Sequence, residues 1–390
     1  MIPIAIPDTS GNESRYLQTC IETNFVSSVG PFVSRFEQQV AQASGNLKGV
    51  AMASGTAGLH TALVAMGVGP GDLVILPSLT FIASANAIRY CGADPWLFDV
   101  DRQRWNLDVD QLAHGLATQT ERRGGDLIHG PTGRRIAAIM PVHTLGMPAD
   151  MDAIVSIAKS YELPVIADGA AALGATDAGR PVGDLGADLT VFSFNGNKTV
   201  TCGGGGAVVG DDPALMDLVR HLSTTARTGI GYDHDRVGFN YRMTNIQAAI
   251  GCAQMERLEP FIQAKRQIRQ RYDLAFSEVS GLAPFPDYPI ESRNLTKQSR
   301  SGCWFSGVWM AEAGMDRISR VLEQLRQTDI DARPFWKPIH LQTPYNKAPK
   351  MTQTVSESLW FQVVVLPCSV SLSLEDQQRT IQAVMQAVSH

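Results

Sequence analysis

The sequence predicts an α/β fold built on a mostly parallel sheet, followed by a smaller C-terminal lobe. From about residue 50 to 210, short β-rich runs alternate with helical patterns, as in parallel sheets whose strands are joined by helices. The chain has 390 residues, 44% of them hydrophobic, which is enough for a large core and two or three lobes. A charged helical stretch leads away from the sheet near residue 260, so we divide the chain into residues 1–260 and 261–390.

Five β-rich runs predict the strands of the sheet, and two apolar stripes predict helices between them. The runs are 72–76, 95–100, 136–142, 164–167 and 189–194. The stripes repeat apolar residues at positions i, i+3, i+4 and i+7, as core-facing helices do; they consist of Leu59, Ala62, Leu63 and Met66, and of Met151, Ile154, Val155 and Ala158.

The next patterns mark the passage from the sheet to the C-terminal lobe. Thr244 followed by Gln247 forms a capping box, so we predict a long helix that begins there and runs toward Leu258. A charged helix is predicted over residues 261–277. It leads into a segment rich in Pro, Ser and Asn, residues 284–301.

Composition excludes several classes of protein. The net charge is −5 and no segment concentrates basic residues, so we expect no nucleic-acid partner. The six cysteines form no Cys-x-x-Cys pair, which predicts neither a metal site nor disulfides and suits a reduced cytoplasmic protein. The chain starts without a basic segment followed by an apolar one, and polar residues interrupt its most apolar stretch, 50–69, so we expect no membrane segment.

The residue that best indicates a function is Lys198, which lies between the β-rich run ending near Ser193 and four glycines at 203–206. A lone amine on a turn, close to a serine hydroxyl and a glycine-rich backbone, is typical of a lysine that forms a Schiff base with an aldehyde cofactor carrying a phosphate. The alternative is a solvated loop lysine. The sequence therefore predicts a pyridoxal-phosphate enzyme, subject to support from other residues.

A phosphate site is predicted at the start of the first apolar stripe. Gly55 and Thr56, in the run Ser-Gly-Thr-Ala-Gly of residues 54–58, precede that helix. The free N–H groups and the dipole of a helix N-terminus favour an anion. The alternative is an ordinary N-cap with a turn of small residues.

Two further residues could contact the ring of such a cofactor. Asp168 ends the β-rich run 164–167, at the edge where parallel sheets place ligand-facing groups. A carboxylate there would keep a pyridine nitrogen protonated, although an N-cap role is the alternative. Phe81 either stacks on the ring or belongs to the core.

Taken in order, these motifs resemble the DegT/StrS nucleotide-sugar aminotransferases. The resemblance runs from residue 24 to residue 340 and rests on Ser-Gly-Thr-Ala at 54–57, Thr-Phe-x-Ala-x-x-Asn-Ala-Ile at 80–88, Asp168, Ser-Phe-x-x-x-Lys at 193–198, the glycine run, and Gly-Phe-Asn-Tyr-Arg-Met-Thr-Asn-Ile-Gln-Ala-Ala at 238–249. It implies a pyridoxal-phosphate-dependent transferase of fold type I, like aspartate aminotransferase, with a large sheet domain, a smaller C-terminal α+β domain and a homodimer.

The resemblance also implies a reaction. Residues 141–144, 194–198 and 251–256 are most similar to aminotransferases that act on UDP-4-keto-6-deoxy-N-acetylhexosamines. The expected reaction moves an amino group from an amino acid, L-glutamate by expectation, to the sugar. Alternatives are a GDP- or dTDP-linked keto sugar, a sugar dehydratase of the same fold, which would carry histidine in place of Lys198, and a non-catalytic regulatory protein that binds the cofactor.

The same resemblance assigns roles to individual residues. Lys198 is the Schiff-base and proton-transfer lysine, Asp168 pairs with the pyridine nitrogen and Phe81 stacks on the ring. The phosphate ligands are Gly55, Thr56, Ser193 and, from the neighbouring subunit, Asn240. Arg227 and His340 are candidates for the sugar or the amino donor.

One position departs from the family pattern. Where the family usually carries Gln or Glu three residues after the aspartate, this chain has Ala171, so the polar side chain expected near the phenolic oxygen of the cofactor is missing. This departure bears on the tuning of the cofactor and on the acceptor.

Overall fold

The computed structural model describes residues 1–286, 299–311 and 313–388. Within these ranges the α-helices are α1 Glu13–Glu22, α2 Pro31–Ser44, α3 Gly55–Ala65, α4 Ile82–Tyr90, α5 Val109–Gln119, α6 Met151–Tyr161, α7 Pro213–Ser223, α8 Asn245–Met255, α9 Leu258–Ser277, α10 Met315–Gln327, α11 Thr354–Trp360 and α12 Leu374–Val388. The strands are β1 Lys48–Met52, β2 Leu73–Pro77, β3 Asp94–Phe98, β4 Thr120–Arg123, β5 Asp126–His129, β6 Arg134–Ile139, β7 Ile166–Asp168, β8 Thr176–Asp177, β9 Arg180–Pro181, β10 Leu189–Ser193, β11 Gly206–Gly210, β12 Arg227–Thr228, β13 Asp233–His234, β14 Ser306–Trp309, β15 Arg333–Pro334 and β16 Val363–Leu366.

The predicted sheet is present, and its centre is parallel as expected. Strands β3, β2 and β6 pair in parallel, and so do β7 and β10. Isolated parallel bridges from Ile139 to Val165 and from Val142 to Asp168 join the two sets. The central order is therefore β3-β2-β6-β7-β10-β11-β1. All five predicted runs are strands, with bounds that differ by at most three residues.

Two strands of this central order were not predicted, and a hairpin of β4 and β5 also pairs antiparallel with the start of β6. Strand β11 runs antiparallel between β10 and β1 and pairs with both. Strand β11 begins and ends with glycine, which weakens its β-rich pattern. The apolar residues of β1 cannot be told from those of the helix that follows it in sequence, so that strand was not recognised either. The sheet is thus mostly but not wholly parallel.

Helices cover both faces of the sheet. Alternate residues of β2 enter different core clusters: Leu73 and Ile75 pack with α2, α5 and α6, whereas Val74 and Leu76 pack with α3, α4 and α7. This burial on two sides is typical of parallel strands and requires nearly continuous apolar runs.

Both apolar stripes lie on helices, α3 and α6, as predicted, except that Met66 is the C-cap of α3, and the capping box of Thr244 and Gln247 begins α8. Helix α8 ends at Met255, short of the predicted Leu258, because Arg257 leaves the helical conformation (φ −115°, ψ 11°) and α9 then starts. The charged helix is present as α9. Part of the segment 284–301, residues 287–298, lies outside the described residues.

The C-terminal part forms an α+β layer. Strands β14, β16 and β15 make an antiparallel sheet, in that order, against which α9 and α10 pack. Ile2 also belongs here, since it forms a parallel bridge to Ile330, although the prediction placed residues 1–260 in the larger domain. The boundary near residue 260 stays a prediction. Among the described residues, no helix is long and apolar enough to cross a membrane.

Candidate active site

One cavity of about 290 Å³ lies at the carboxyl ends of the central strands and brings six of the predicted residues together. The six residues are Gly55, Thr56, Phe81, Asp168, Ser193 and Lys198. Loops at this edge of a parallel sheet converge from several strands, which is why distant parts of the sequence meet here. We call the side formed by Lys198, Asp168, Ser193 and the start of α3 the strand-end wall.

Lys198 lies on a turn after β10, and its backbone N–H donates to Asn195 O at 3.0 Å. Lys198 lines the cavity and is half-buried as a whole residue, while its amine is packed among protein atoms. Burial lowers its pKa to about 7, the negative charge of Asp168 acts in the opposite direction, and the positive charge of Lys265 lowers the pKa further. Near neutral pH, a large fraction of this amine is therefore unprotonated and able to act as a nucleophile or a base.

Asp168 is 5% exposed at the end of β7. Its Oδ2 accepts a 2.6 Å hydrogen bond from Ser84 Oγ, and its Oδ1 accepts one of 3.0 Å from Ala170 N. Burial raises the pKa of this carboxyl, while those two hydrogen bonds and the charge of Lys198 oppose the rise. Ser84 was not predicted, since a serine within an apolar helix carries no distinctive signal. Each carboxylate oxygen keeps capacity for a further donor.

The start of α3 and the end of β10 meet closely. Ser54 Oγ accepts a 3.0 Å bond from Ala57 N, and Gly58 N donates to Ser54 O, so the N–H groups of Gly55 and Thr56 remain outside the helical ladder. A Cβ on Gly55 would lie 2.9 Å from Cβ of Ser193. Glycine is therefore required for this approach, which forms a concave backbone surface suited to a phosphate.

Aromatic side chains form the opposite side of the cavity. Trp304 and Trp336, which we call the aromatic wall, come from the C-terminal part. Lys198 Nζ lies 3.4 Å from the centroid of the Trp304 ring, and Trp304 Nε1 donates to Asn197 O at 2.7 Å. Phe81 lies opposite, with its ring centroid 6.2 Å from that of Trp336. Phe81 is 56% exposed, so the alternative that it belongs to the core is wrong.

The structure does not bring three predicted residues into this cavity. Asn240 is exposed and forms an antiparallel bridge to Thr224, just after α7. The exposed Arg227 on β12 donates its guanidinium hydrogens to the carbonyls of Gly231 and Ile230. His340 is 3% exposed with both ring nitrogens engaged, Nδ1 2.7 Å from Ser78 Oγ and Nε2 2.9 Å from Glu357 Oε1. Because both ring nitrogens are hydrogen-bonded, neither is available to a substrate. His340 instead links the C-terminal part to the end of β2.

The arrangement is matched across the chain by known proteins. A model of the DegT/DnrJ/EryC1/StrS aminotransferase family matches residues 7–385. The chain belongs to this family. The resemblance expected from the motifs is thereby confirmed.

Two relatives of this family member are proteins named GDP-perosamine synthase. One, from Caulobacter vibrioides, is 37% identical over 393 residues, covering 99% of this chain and 98% of the relative. The other, from Escherichia coli O157:H7, is 36% identical over 379 residues, covering 96% and 95%. A crystal structure of a DegT DnrJ EryC1 StrS aminotransferase from Brucella abortus superposes with a TM-score of 0.85 at 28% identity, covering 96% of this chain and 95% of that one.

Membership gives this aminotransferase the fold of pyridoxal-phosphate-dependent transferases of fold type I and pyridoxal phosphate as its cofactor. The residues present fit that group. An amine of lowered pKa, a buried carboxylate and a helix N-terminus share one cavity, and the absence of a side chain at Gly55 lets that helix N-terminus approach Ser193 closely. Volume and chemistry both suit a small phosphorylated ring.

Four cavity residues have contacts that sequence reasoning did not assign. Trp304 and Trp336 reach the site from the C-terminal part, which no periodicity connects to Lys198. His143 and Thr144 follow β6 and also line the cavity. Histidine at the carboxyl end of a parallel strand is a signal that could have found His143.

Proposed function

We propose that this aminotransferase moves an amino group from L-glutamate to the keto carbon of a nucleotide-linked 4-keto-6-deoxy sugar. The proposal rests on the amine of Lys198, whose lowered pKa leaves much of it unprotonated near neutral pH. This amine shares one cavity with the buried Asp168 and with the N-terminus of α3. Pyridoxal phosphate, when bound, supplies an aldehyde that accepts the amino group and a ring that withdraws electrons.

Each residue of the strand-end wall has a task in this proposal. Lys198 Nζ takes the α-proton of the amino donor as a general base, which requires an unprotonated amine at working pH. Asp168 would hold a proton on the ring nitrogen of the bound cofactor. Gly55 N, Thr56 N and Ser193 Oγ would bind its phosphate. The aromatic wall excludes water from the amine.

Two kinds of nucleotide-linked keto sugar are candidates for the acceptor. The relatives named GDP-perosamine synthase favour a GDP-linked keto sugar over the UDP-linked N-acetylhexosamine that the segments around Lys198 and His143 predict. We therefore propose the GDP-linked sugar first and keep the UDP-linked sugar as the second candidate, because those segments specifically favour it.

The acceptor is tested by supplying glutamate with GDP-, dTDP- and UDP-linked 4-keto-6-deoxy sugars side by side and measuring 2-oxoglutarate formation. We expect the highest kcat/KM with the GDP-linked sugar. A site that hydrogen-bonds an acetamido group would instead reject sugars lacking it, since its buried polar groups would be left unpaired. Preference for the UDP-linked N-acetylhexosamine would overturn the GDP assignment, and amination of none of the sugars would overturn the nucleotide-sugar proposal.

We further propose a cytoplasmic homodimer with shared sites, in which Asn240 of the partner subunit completes the phosphate site. Asn240 is exposed and absent from the cavity of its own chain, as a shared site requires. Mixing inactive Lys198→Ala chains with inactive Asn240→Ala chains should restore activity, because one site of each hybrid dimer carries neither substitution. Demonstrated subunit exchange without recovered activity would contradict the shared site.

A further inference from the structure

A short segment after β6, residues 143–146, forms part of the cavity lining without a role in the reaction described so far. His143 and Thr144 are 1% and 2% exposed. Within the part of the chain that the structure describes, His143 Nε2 and Thr144 Oγ1 have no hydrogen-bond partner. A buried polar atom without a partner costs about 1–3 kcal/mol, so its persistence beside a ligand cavity points to a partner supplied by the ligand.

The protonation of the His143 ring follows from its contacts. Ala149 N donates to His143 Nδ1 at 3.0 Å, and a backbone N–H can only donate, so Nδ1 carries no hydrogen. Burial lowers the pKa of His143 to about 4, so the ring is neutral at neutral pH. A neutral ring whose Nδ1 is an acceptor carries its single hydrogen on Nε2. The unpartnered atom is therefore a hydrogen-bond donor.

The backbone holds this donor firmly in place. Leu145 has a left-handed conformation (φ 55°), which is unusual for a branched side chain and costs free energy unless the surroundings impose it. Asn106 imposes it from both ends: its Oδ1 accepts from Thr144 N at 2.9 Å, and its Nδ2 donates to Met147 O at 3.0 Å. Strain maintained in a cavity wall is typical of functional sites.

The segment 143–146 contacts both Asp168, which is assigned to the ring nitrogen of the cofactor, and Ala171, where the family's polar side chain is missing. His143 N donates to Asp168 O at 3.0 Å, which places His143 beside the carboxylate at the neighbouring strand end. A Cβ on Gly146 would lie 2.8 Å from Ala171 O, so the segment also contacts the position where the family's polar side chain is missing. Both His143 and Ala171 line the cavity.

We propose that His143 is a positioning residue whose Nε2–H donates to the phenolic oxygen of the cofactor and replaces the donor that Ala171 lacks. The proposal rests on the proposed roles of Lys198 and Asp168. A donor at that oxygen stabilises its negative charge and weakens its attraction for the protonated nitrogen that joins Lys198 to the cofactor. His143 thereby lowers the pKa of that nitrogen and favours its reactive form near neutral pH.

The test is a pH titration of the absorption of the cofactor-loaded enzyme in the absence of substrate. Removing the donor in His143→Leu should raise the pKa of the absorption change by about one unit, the size of one charge-assisted hydrogen bond. His143→Gln, whose amide reaches the Nε2 position, should return the pKa to within about half a unit of wild type. Ala171→Gln in the His143→Leu background should also restore it.

Matched variants separate a specific donor from general disturbance. His129→Leu removes another buried imidazole, whose nitrogens contact Thr132 and Gln119 outside the cavity, and should leave the titration unchanged. If His143→Leu fails to fold, the pair His143→Gln and His143→Asn provides the same comparison, because the shorter amide of asparagine does not reach the Nε2 position. A wild-type titration in His143→Leu, equal pKa values in the two amide variants, or an equal shift in His129→Leu overturns the proposal.

The readout also distinguishes this proposal from the proposed function. Failure of every nucleotide sugar to be aminated by the wild-type enzyme would refute the sugar acceptor, while the titration would still report on His143. An unchanged titration alongside normal amination would refute only the role of His143.

Discussion

The two sides of the cavity contrast in chemistry and in origin. The strand-end wall comes from the central sheet and contains the buried amine, the carboxylate and the helix N-terminus. The aromatic wall comes from the C-terminal part and contributes two indole rings, one of them directly against the amine of Lys198. In the proposed reaction the first wall supplies the groups that react or bind charge, and the second limits the access of water to those groups and their freedom of movement.

The largest effect is expected from breaking the strand-end wall at Lys198. Lys198→Ala removes both the nucleophile and the general base and should lower kcat by at least about 10⁴-fold. Borohydride reduction of the wild-type enzyme followed by peptide mapping should find the cofactor on Lys198. Lys159→Ala, which removes an exposed lysine from α6, is the matched control and should retain activity. Cofactor attached to another lysine would contradict the assignment.

The next effect concerns Asp168. Asp168→Asn keeps the shape of the side chain but removes its charge, so kcat should fall about a hundredfold, as for the loss of one preorganised electrostatic partner. Near-normal turnover would refute its role.

In the cofactor-free protein, Asp168→Asn also tests how the charge of Asp168 affects the pKa of Lys198. Since the charge of Asp168 raises the pKa of Lys198 against the effect of burial, the pH midpoint for labelling Lys198 with an amine-reactive reagent should be about 7 in the wild type and lower in Asp168→Asn. Above the midpoint the amine is unprotonated and labelling is fast. A midpoint near that of ordinary lysines would show that Lys198 is solvated.

A smaller effect is expected from the aromatic wall. Trp304→Leu removes the ring against Lys198 Nζ and the hydrogen bond to Asn197 O, so the amine becomes less well positioned. We expect kcat to fall about tenfold, by the loss of orientation rather than of a reacting group. Trp360→Leu, at a tryptophan that does not line the cavity, is the control. A loss as large as that of Lys198→Ala would remove the distinction between the two walls.

The smallest catalytic effect is expected outside both walls. His340→Ala breaks the side-chain hydrogen bonds to Ser78 and Glu357 and leaves the buried Ser78 hydroxyl with only the backbone N–H of residue 340 as a partner, which should cost about 1–3 kcal/mol of unfolding free energy by urea titration. Turnover by the folded variant should stay within about threefold of wild type, because His340 does not line the cavity. A threefold change in rate corresponds to less than about one kcal/mol of activation free energy. A hundredfold loss of kcat/KM at unchanged stability would support the substrate role that the resemblance suggested.

The strand-end wall could be predicted from the sequence and the aromatic wall could not. Asp168, Ser193 and Gly55 lie directly at the ends of strands or helices, and the rule that ligands bind at the carboxyl ends of parallel strands brings them together. Trp304 and Trp336 reach the cavity through the packing of the C-terminal part on the sheet, and no local pattern contains that information. Their positions follow from tertiary contacts alone.

The same limit explains the unpredicted parts of the fold. Strand β11 was missed because its terminal glycines obscure the β-rich pattern and because its antiparallel direction is set by the return of the chain after Lys198. The environment of His340 was also beyond reach, since its partners Ser78 and Glu357 are far from it along the sequence. The capping box of α8, by contrast, depends on four consecutive positions and was found exactly where predicted.

The placement of β11 between β10 and β1 also constrains the order of folding during synthesis. Met52 pairs with Gly206 and Lys48 with Gly210, so β1 must wait for about 150 further residues before its neighbour leaves the ribosome. At cellular rates of translation this interval is roughly 8 to 30 seconds. Throughout it, β1 lacks its partner strand β11. A nascent chain is therefore most vulnerable to aggregation before the glycine run emerges, and binding of the cofactor must follow that event.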